Sequence, residues 1–156
     1  MPQGVIQPAN AILYAGQPEV QELEVETTTS FGPGRMVATD TNAWQVEVAG
    51  AASIICLGIA DVPSDKKLTD MQVCHTATGA VTTAFTAGDQ IRVLRGDIVV
   101  KGILVSGQTI TVGEKLECAA LGMLQTASVD QAVVGYALEN VTAGNYCEWI
   151  LFKMTI

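Results

Sequence analysis

The sequence has 156 residues, of which 49% are hydrophobic and 15% charged, which is typical of a single globular domain and excludes a chain disordered throughout. Sixteen acidic against eight basic residues give a net charge of -8, so no basic stripe is available for phosphates and nucleic acid is not an expected partner. The longest apolar run, over residues 49–60, is interrupted and too short to cross a bilayer, so no membrane partner is expected either.

The first thirty residues differ from the rest of the chain. They contain Pro2, Pro8 and Pro18, four glutamates and no basic residue. Because proline lacks a backbone donor and fixes φ, this stretch is not a central strand throughout. We predict an extended arm over residues 1–30 that ends in one edge strand, Glu22 to Thr28, and that lies on a partner or a neighbouring subunit.

The arm supplies the candidate contact residues of the sequence. Its apolar side chains favour burial against a partner, and its glutamates favour basic groups of a partner or of an adjacent subunit. The candidate contacts are Val5, Ile6, Ile12, Leu13, Tyr14, Glu19, Glu22, Glu24 and Glu26.

The remainder, residues 31–156, is predicted to be one compact β domain, a sandwich or barrel. Alternating or continuously apolar runs rich in β-branched residues are separated at short intervals by glycine-containing turns. The predicted strands are 44–48, 53–57, 90–94, 97–105, 108–112 and 149–152. The predicted core is Val46, Val48, Ile55, Leu57, Ile91, Val93, Val99, Ile103, Ile110, Leu116, Val134, Ile150 and Phe152.

Helical periodicity is scarce, so at most two short helices are expected. The best candidate is Ser64 to Met71, where Ser64 can cap the first turn. It lies within residues 63–87, a possible insertion into the domain. Arg95-Gly96-Asp97, although it matches a cell-adhesion tripeptide, is predicted to be a turn between two strands.

A weak internal repeat runs through the domain. Gly34 to Val37 is followed by Gly58 to Val62, and Gly113 to Leu116 is followed at similar spacing by Gly135 to Val141. Each copy predicts a turn glycine, a strand, a hairpin and a buried strand, with glycines at tight turns or close backbone approaches. We hypothesise two related hairpins packed around one core.

No residues that carry chemistry stand out. The four cysteines, at positions 56, 74, 118 and 147, match no zinc-binding spacing and are expected to be free, buried thiols in a reducing compartment. Cys74 and His75 are adjacent, so in a strand they would point to opposite faces. We therefore predict no catalytic, cofactor-binding or metal-binding residues, and we do not expect an enzyme.

Three segments of the C-terminal half follow a recognisable order. Residues 111–124 contain Gly-Glu-Lys-Leu, small residues and Gly-Met-Leu; residues 134–139 read Val-Gly-Tyr-Ala-Leu-Glu; residues 148–152 form a final apolar strand. This order resembles the small capsid decoration, or cement, proteins of tailed phages. The N-terminal half is similar more loosely, through a Gly-Pro-Gly turn and Leu57 to Ala60.

The resemblance implies a compact β-fold of the β-tulip type with an extended N-terminal segment and no cofactor. It also implies a homotrimer that binds the outside of an expanded capsid and clamps neighbouring major capsid proteins. The expected location is then the exterior of the virion, after synthesis in the host cytoplasm, and the arm residues become candidate capsid contacts. The alternatives are another virion- or tail-associated β-module, or a carbohydrate-binding module with Trp44 and Trp149 as its available aromatic platforms.

Overall fold

The computed structural model describes residues 11–26, 31–39, 42, 44–50, 56–66, 68, 77–78, 84–129 and 131–156. In these residues the chain is built mainly from strands, with one 3-10 turn at Ala120–Gly122 and a helical residue at Leu68, which confirms the all-β class. The strands are β1 (Leu13–Ala15), β2 (Glu19–Val25), β3 (Met36–Thr39), β4 (Gln45–Val48), β5 (Cys56–Ala60), β6 (Gln90–Arg95), β7 (Ile98–Leu104), β8 (Thr109–Ile110), β9 (Lys115–Cys118), β10 (Leu124–Thr126), β11 (Gly135–Ala137), β12 (Val141–Thr142) and β13 (Glu148–Met154).

The strands form two closed barrels, one in each half of the chain. In the first barrel the order is β2-β4-β3-β5-β6, and β6 pairs with β2 to close the ring. In the second barrel the order is β7-β10-β9-β11-β13, and β13 pairs with β7. Each barrel has one parallel pair, β2–β4 in the first and β7–β10 in the second, and the other pairs are antiparallel. The two barrels therefore have the same connectivity.

Equivalent backbone hydrogen bonds also occur in each of the two barrels. Gly34 donates its backbone N–H to the carbonyl of Ala60 at 2.9 Å, and Gly113 donates to Ala137 at 2.8 Å. The predicted internal repeat is therefore confirmed, although each copy is a whole five-stranded barrel rather than a hairpin.

One row of paired residues distinguishes the two copies. In the first barrel the row crosses β3, β5 and β6, and all its members are buried; we name it the covered row, which is Met36, Ile59 and Leu94. In the second barrel the equivalent row crosses β9, β11 and β13; we name it the open row, which is Lys115, Tyr136 and Lys153. The open row is only partly covered, with Tyr136 39% exposed.

The interiors of both barrels belong to one continuous apolar cluster. Most of the predicted core is buried there: Val46, Ile91, Val93, Ile103, Ile110, Leu116, Val134, Ile150 and Phe152. Val48, Leu57 and Val99 are half-buried, and Ile55 lies outside the described residues.

The 3-10 turn of the second half packs against the first barrel. Arg35 is fully buried and donates from Nη1 to the carbonyl of Leu121 at 3.0 Å. The N–H of Gly122 donates to the carbonyl of Ala49 at 2.8 Å. At φ +69° and against the backbone of Met36, residue 122 has no room for a side chain. The barrels are thus joined by polar as well as apolar contacts.

The prediction of an arm that lies on a partner and ends in an edge strand is wrong for the described residues 11–26, which belong to this chain's own sheets. β1 pairs with β7, and β2 is paired on both sides, with β4 and with β6. Pro18 immediately precedes β2, where its missing N–H costs no ladder hydrogen bond, so it starts a strand rather than preventing one. Residues 1–10 and 27–30 lie outside the described residues.

The long connection of the first half also has a defined place. The chain joins β5 to β6 through residues 61–89, whereas it joins β11 to β13 through residues 138–147. The possible insertion, 63–87, lies inside the longer connection. Of the helix predicted over Ser64 to Met71, residues 64–66 form a turn and Leu68 is helical, and the other four residues lie outside the described residues. Gly96, with φ +108°, forms the predicted turn, which links the last strand of the first barrel to the first strand of the second.

Candidate interaction surface

The predicted contact residues do not form one surface. Val5 and Ile6 lie outside the described residues. Ile12 is fully buried and its carbonyl accepts a hydrogen bond from Lys101 N–H at 2.9 Å, so its assignment as a contact is wrong: it fills this chain's own core. Leu13 is half-buried and Tyr14 is 37% exposed, both on β1 beside the second barrel. The glutamates lie on or just after β2, in the first barrel.

Glu19 and Glu24 have partners within the chain. Glu19 forms an ion pair with Arg95, with 3.6 Å between Oε2 and Nε. Oε1 of Glu24 accepts a hydrogen bond from Nε2 of Gln45 at 3.1 Å. Glu22 is exposed and lies opposite Arg92 in the β2–β6 register. Because outward glutamates alternate with the buried Leu23, this strand presents its charge to solvent.

An acidic hollow lies at the edge of the β2 surface. It has a volume of about 160 Å³ and is lined by Glu22, Asp61, Asp65 and Arg92 among others. Burial raises the pKa of Asp61 above its ordinary value, although the hydrogen bond from Val62 N–H and the charge of Arg92 act in the opposite direction. Among the described residues no group of three or more potential ligands could hold a metal ion. The hollow offers charge but not a metal centre.

A second groove lies beside β1 on the second barrel. It has a volume of about 330 Å³, and Tyr14, Lys101, Glu139, Trp149 and Leu151 contribute to its walls. Oε1 of Glu139 accepts the backbone N–H of Leu151 at 2.8 Å, which holds the carboxylate at the groove. The groove therefore combines aromatic and aliphatic surface with one ammonium and one carboxylate group. Its aromatic side chains are of the type enriched at protein interfaces.

The open row was missed by the sequence reasoning. Tyr136 is flanked in register by Lys153 on one side and Lys115 on the other, and Leu138 nearby is 42% exposed. The internal repeat contained the signal, because it aligns Gly58-Ile59-Ala60 with Gly135-Tyr136-Ala137. An aliphatic residue that is buried in one copy is replaced by a half-exposed aromatic residue in the other. The open row exposes apolar surface, whereas the equivalent covered row of the first barrel is buried. This difference indicates that the open row is a contact site.

No protein-family model matches the chain, and no curated protein matches it in sequence. Solved structures do match its fold. The base of the head fiber gp8.5 of bacteriophage phi29 is 14% identical, with a TM-score of 0.56, over 89% of this chain and 95% of that one. The two chains share a fold. A chain from the capsid of Myoviridae phage XM1 is 18% identical, also with a TM-score of 0.56, over 96% of this chain and 90% of that one.

These likenesses confirm, for the fold, the resemblance predicted from the C-terminal motifs. The motif segments map onto β9, β10, β11 and β13, which are four of the five strands of the second barrel. Their glycines have structural reasons, since a side chain at Gly135 would collide with the carbonyl oxygen of Lys153. In the described residues no helix is long and apolar enough to span a membrane.

Proposed function

We propose that the protein is a structural component of a phage virion, a capsid decoration protein that binds the exterior of the expanded shell as a homotrimer and clamps neighbouring major capsid proteins. The observation that carries the proposal is the shared fold over nearly the whole length of two phage head proteins. The acidic balance and the surface groove support a protein partner, and the proposal includes no catalysis and no cofactor.

The open row supports self-association. Its equivalent in the first barrel, the covered row, is fully buried in the core that the two barrels share. A neighbouring chain that lays a surface on the open row makes a heterologous contact, because different faces of the two chains meet. Such contacts close into a ring when the rotation between neighbours fits, and the proposed ring contains three chains.

Capsid attachment is assigned to the groove beside β1 and to residues 1–10, which precede β1 in the sequence. Tyr14 and Leu151 offer apolar area there, and Lys101 lies between them on the groove wall. The outward β2 glutamates, of which Glu22 is exposed, offer negative charge to basic groups of the shell. Surface ion pairs stabilise by only about 0–1 kcal/mol each, so apolar burial is the larger contribution.

The test mixes purified full-length protein with expanded, undecorated capsids and measures bound copies by sedimentation, with the solution mass measured separately by light scattering. Saturable binding in a fixed ratio of trimers to shell sites is expected. Tyr136→Glu places a charge in the open row and is expected to abolish trimer formation. Tyr146→Glu is the matched control, at a tyrosine that is 58% exposed in the loop before β13, and it is expected to leave the mass unchanged. A wild-type protein that never binds capsids contradicts the proposal.

One observation favours the carbohydrate-binding alternative. Trp44 is 73% exposed, as a sugar platform requires. Trp149 is half-buried, and its ring packs so closely against Gly34 that it occupies the space of a side chain at that position. Binding of a monomer to a glycan array, lost in Trp44→Ala and without capsid binding, would support that alternative. Capsid binding that survives Trp44→Ala supports decoration.

A further inference from the structure

Two thiols from different barrels lie side by side. Cys56 begins β5 in the first barrel, Cys118 ends β9 in the second, and their Sγ atoms are 2.8 Å apart. A disulfide bond is about 2.05 Å long, so the two sulfur atoms need to approach by less than about 1 Å to be joined. Cysteines whose side chains point apart cannot be bridged without backbone movement, but this pair already points together.

We propose that Cys56 and Cys118 are an oxidation site that forms an intramolecular disulfide and joins the two barrels covalently. The oxidant is a small-molecule disulfide of the glutathione class. The Cys56 thiolate attacks one sulfur of the oxidant, forms a mixed disulfide and releases one glutathione thiolate. Cys118 then loses its proton and attacks Sγ of Cys56, and the second glutathione thiolate leaves. Two protein thiols are oxidised, and one small-molecule disulfide is reduced to two thiols.

The order of the two attacks follows from burial. Cys118 is fully buried, whereas Cys56 is half-buried. The hydrogen bond with Cys56 and burial raise the pKa of the Cys118 thiol, which makes it the poorer first nucleophile. Once Cys56 carries a glutathione leaving group, the adjacent Cys118 reacts intramolecularly, and closeness compensates for its low acidity.

Among the described residues, the remaining cysteine, Cys147, has a different neighbour. Cys147 is buried, and its Sγ lies 3.5 Å from the thioether sulfur of Met123. Cys74 lies outside the described residues. Cys147 therefore provides a matched control for a buried thiol that has no cysteine neighbour among the described residues.

The cross-link has a consequence for a particle that leaves its host. Thiols stay reduced in a cytosol and are oxidised outside it, so a released virion would carry barrels locked together. Oxidation on release of a virion rests on the proposed function, whereas the disulfide-forming reaction itself depends only on the two thiols. A bond that closes a long loop restricts the unfolded chain, and the melting temperature is expected to rise by roughly 5–10 °C.

The test uses the reduced full-length protein without capsids, so its outcome is separate from that of the capsid-binding experiment. After incubation with oxidised glutathione in mildly alkaline buffer, we expect the free thiols of Cys56 and Cys118 to be lost and a non-reducing peptide map to link these two residues. The melting temperature should rise and return to its starting value on reduction. A stable glutathione adduct on Cys56, a link from Cys56 or Cys118 to Cys74 or Cys147, or unreacted thiols at both Cys56 and Cys118 would overturn the proposal.

Variants separate the cross-link from other effects of oxidation. Cys147→Ser should give the same cross-link and the same shift in melting temperature as the wild type. Cys118→Ala removes the buried thiol without adding a polar group and should lose both the cross-link and the shift. If Cys118→Ala retains the shift, the proposal is wrong. The wild-type peptide map decides the question even where a variant does not fold.

Discussion

Gly58 of β5 and Gly135 of β11 occupy equivalent positions in the two barrels. A Cβ atom at Gly58 would collide with the carbonyl oxygen of Leu94, and one at Gly135 would collide with that of Lys153. Leu94 and Lys153 are themselves equivalent, since they end the covered row and the open row. Each barrel therefore closes through one strand whose backbone touches the next strand directly, and only glycine permits that approach.

Gly58→Ala and Gly135→Ala are each expected to lower the free energy of unfolding by about 1–3 kcal/mol, because the new methyl group forces two paired strands apart. Urea denaturation monitored by tryptophan fluorescence measures the loss. Gly144→Ala is the control, since no atom lies within 4 Å of a Cβ built there, and its stability should stay near that of the wild type. Wild-type stability in both barrel variants would contradict the close approach.

Ile12→Ala is expected to lower the free energy of unfolding by about 2–5 kcal/mol, because it leaves a cavity in a closed core. Tyr14→Ala, two residues away and 37% exposed, should cost much less. Chemical denaturation of both variants tests the assignment of residues 11–26 to the domain. Deleting residues 1–18 should destabilise the protein for the same reason. An unchanged melting temperature would instead support an arm that is separate from the domain and docks on a partner.

Asp61 predicts a pH dependence of stability. Its pKa is raised in the folded state above the ordinary value of 3.8, so the folded protein retains its proton to higher pH than the unfolded chain does. Its contribution to stability is therefore greatest below pH 3.8 and declines as the pH rises through the folded-state value.

Asp61→Asn retains an oxygen that can accept the Val62 N–H, which Asp61 binds at 2.8 Å, but removes the titration. As the pH rises from 3 to 7, we expect the free energy of unfolding of this variant to increase relative to that of the wild type. The increase should be at most about 1 kcal/mol, because the variant also lacks the ion pair that Asp61 forms with Arg92. Asp61→Ala should be less stable than Asp61→Asn at every pH. Parallel stability curves for wild type and Asp61→Asn would refute the prediction.

Trp44 adopts φ +70°, a left-handed conformation, while its side chain is 73% exposed. The left-handed conformation costs a non-glycine residue about 1–2 kcal/mol, and the exposed ring of Trp44 makes few packing contacts that would offset this cost. Trp44→Gly is therefore expected to raise the free energy of unfolding by up to about 1 kcal/mol. The backbone carbonyl of residue 44 can still accept the Glu24 N–H, now at 2.9 Å. Thermal denaturation measures the gain, and Tyr146→Gly, at an exposed residue without positive φ, should show none.

Much of the fold was predictable because strands leave local signals. Alternation located β4, and continuous apolar runs located β7 and β13, since both sequences favour pleated, buried backbone. Positive-φ glycines such as Gly34 and Gly113 marked the repeat, because few other residues adopt that conformation. Closure of each barrel was not predictable, since it depends on the parallel β2–β4 and β7–β10 pairs between strands that are separated along the chain.

The candidate site was predicted less well. The acidic, proline-containing start of the chain has the composition of a solvated arm. The alternation of Leu23 and Val25 with glutamates was the stronger signal, because it is typical of a strand with one buried face, here a strand of the first barrel. The open row could not be found from Tyr136 alone, since single half-exposed tyrosines are ordinary. What distinguishes Tyr136 is that Ile59, its structural equivalent in the first barrel, is buried.

The unequal connections within the two barrels have a consequence for folding kinetics. Joining β5 to β6 requires the chain to close over residues 61–89, whereas β11 and β13 close over residues 138–147. A loop roughly three times longer costs about 1 kcal/mol more in chain entropy, which corresponds to a roughly fivefold slower closure. The second barrel is therefore expected to nucleate first and to serve as the surface on which the first barrel assembles. In pulsed hydrogen exchange, amides of β7 and β13 should then gain protection before those of β2 and β6.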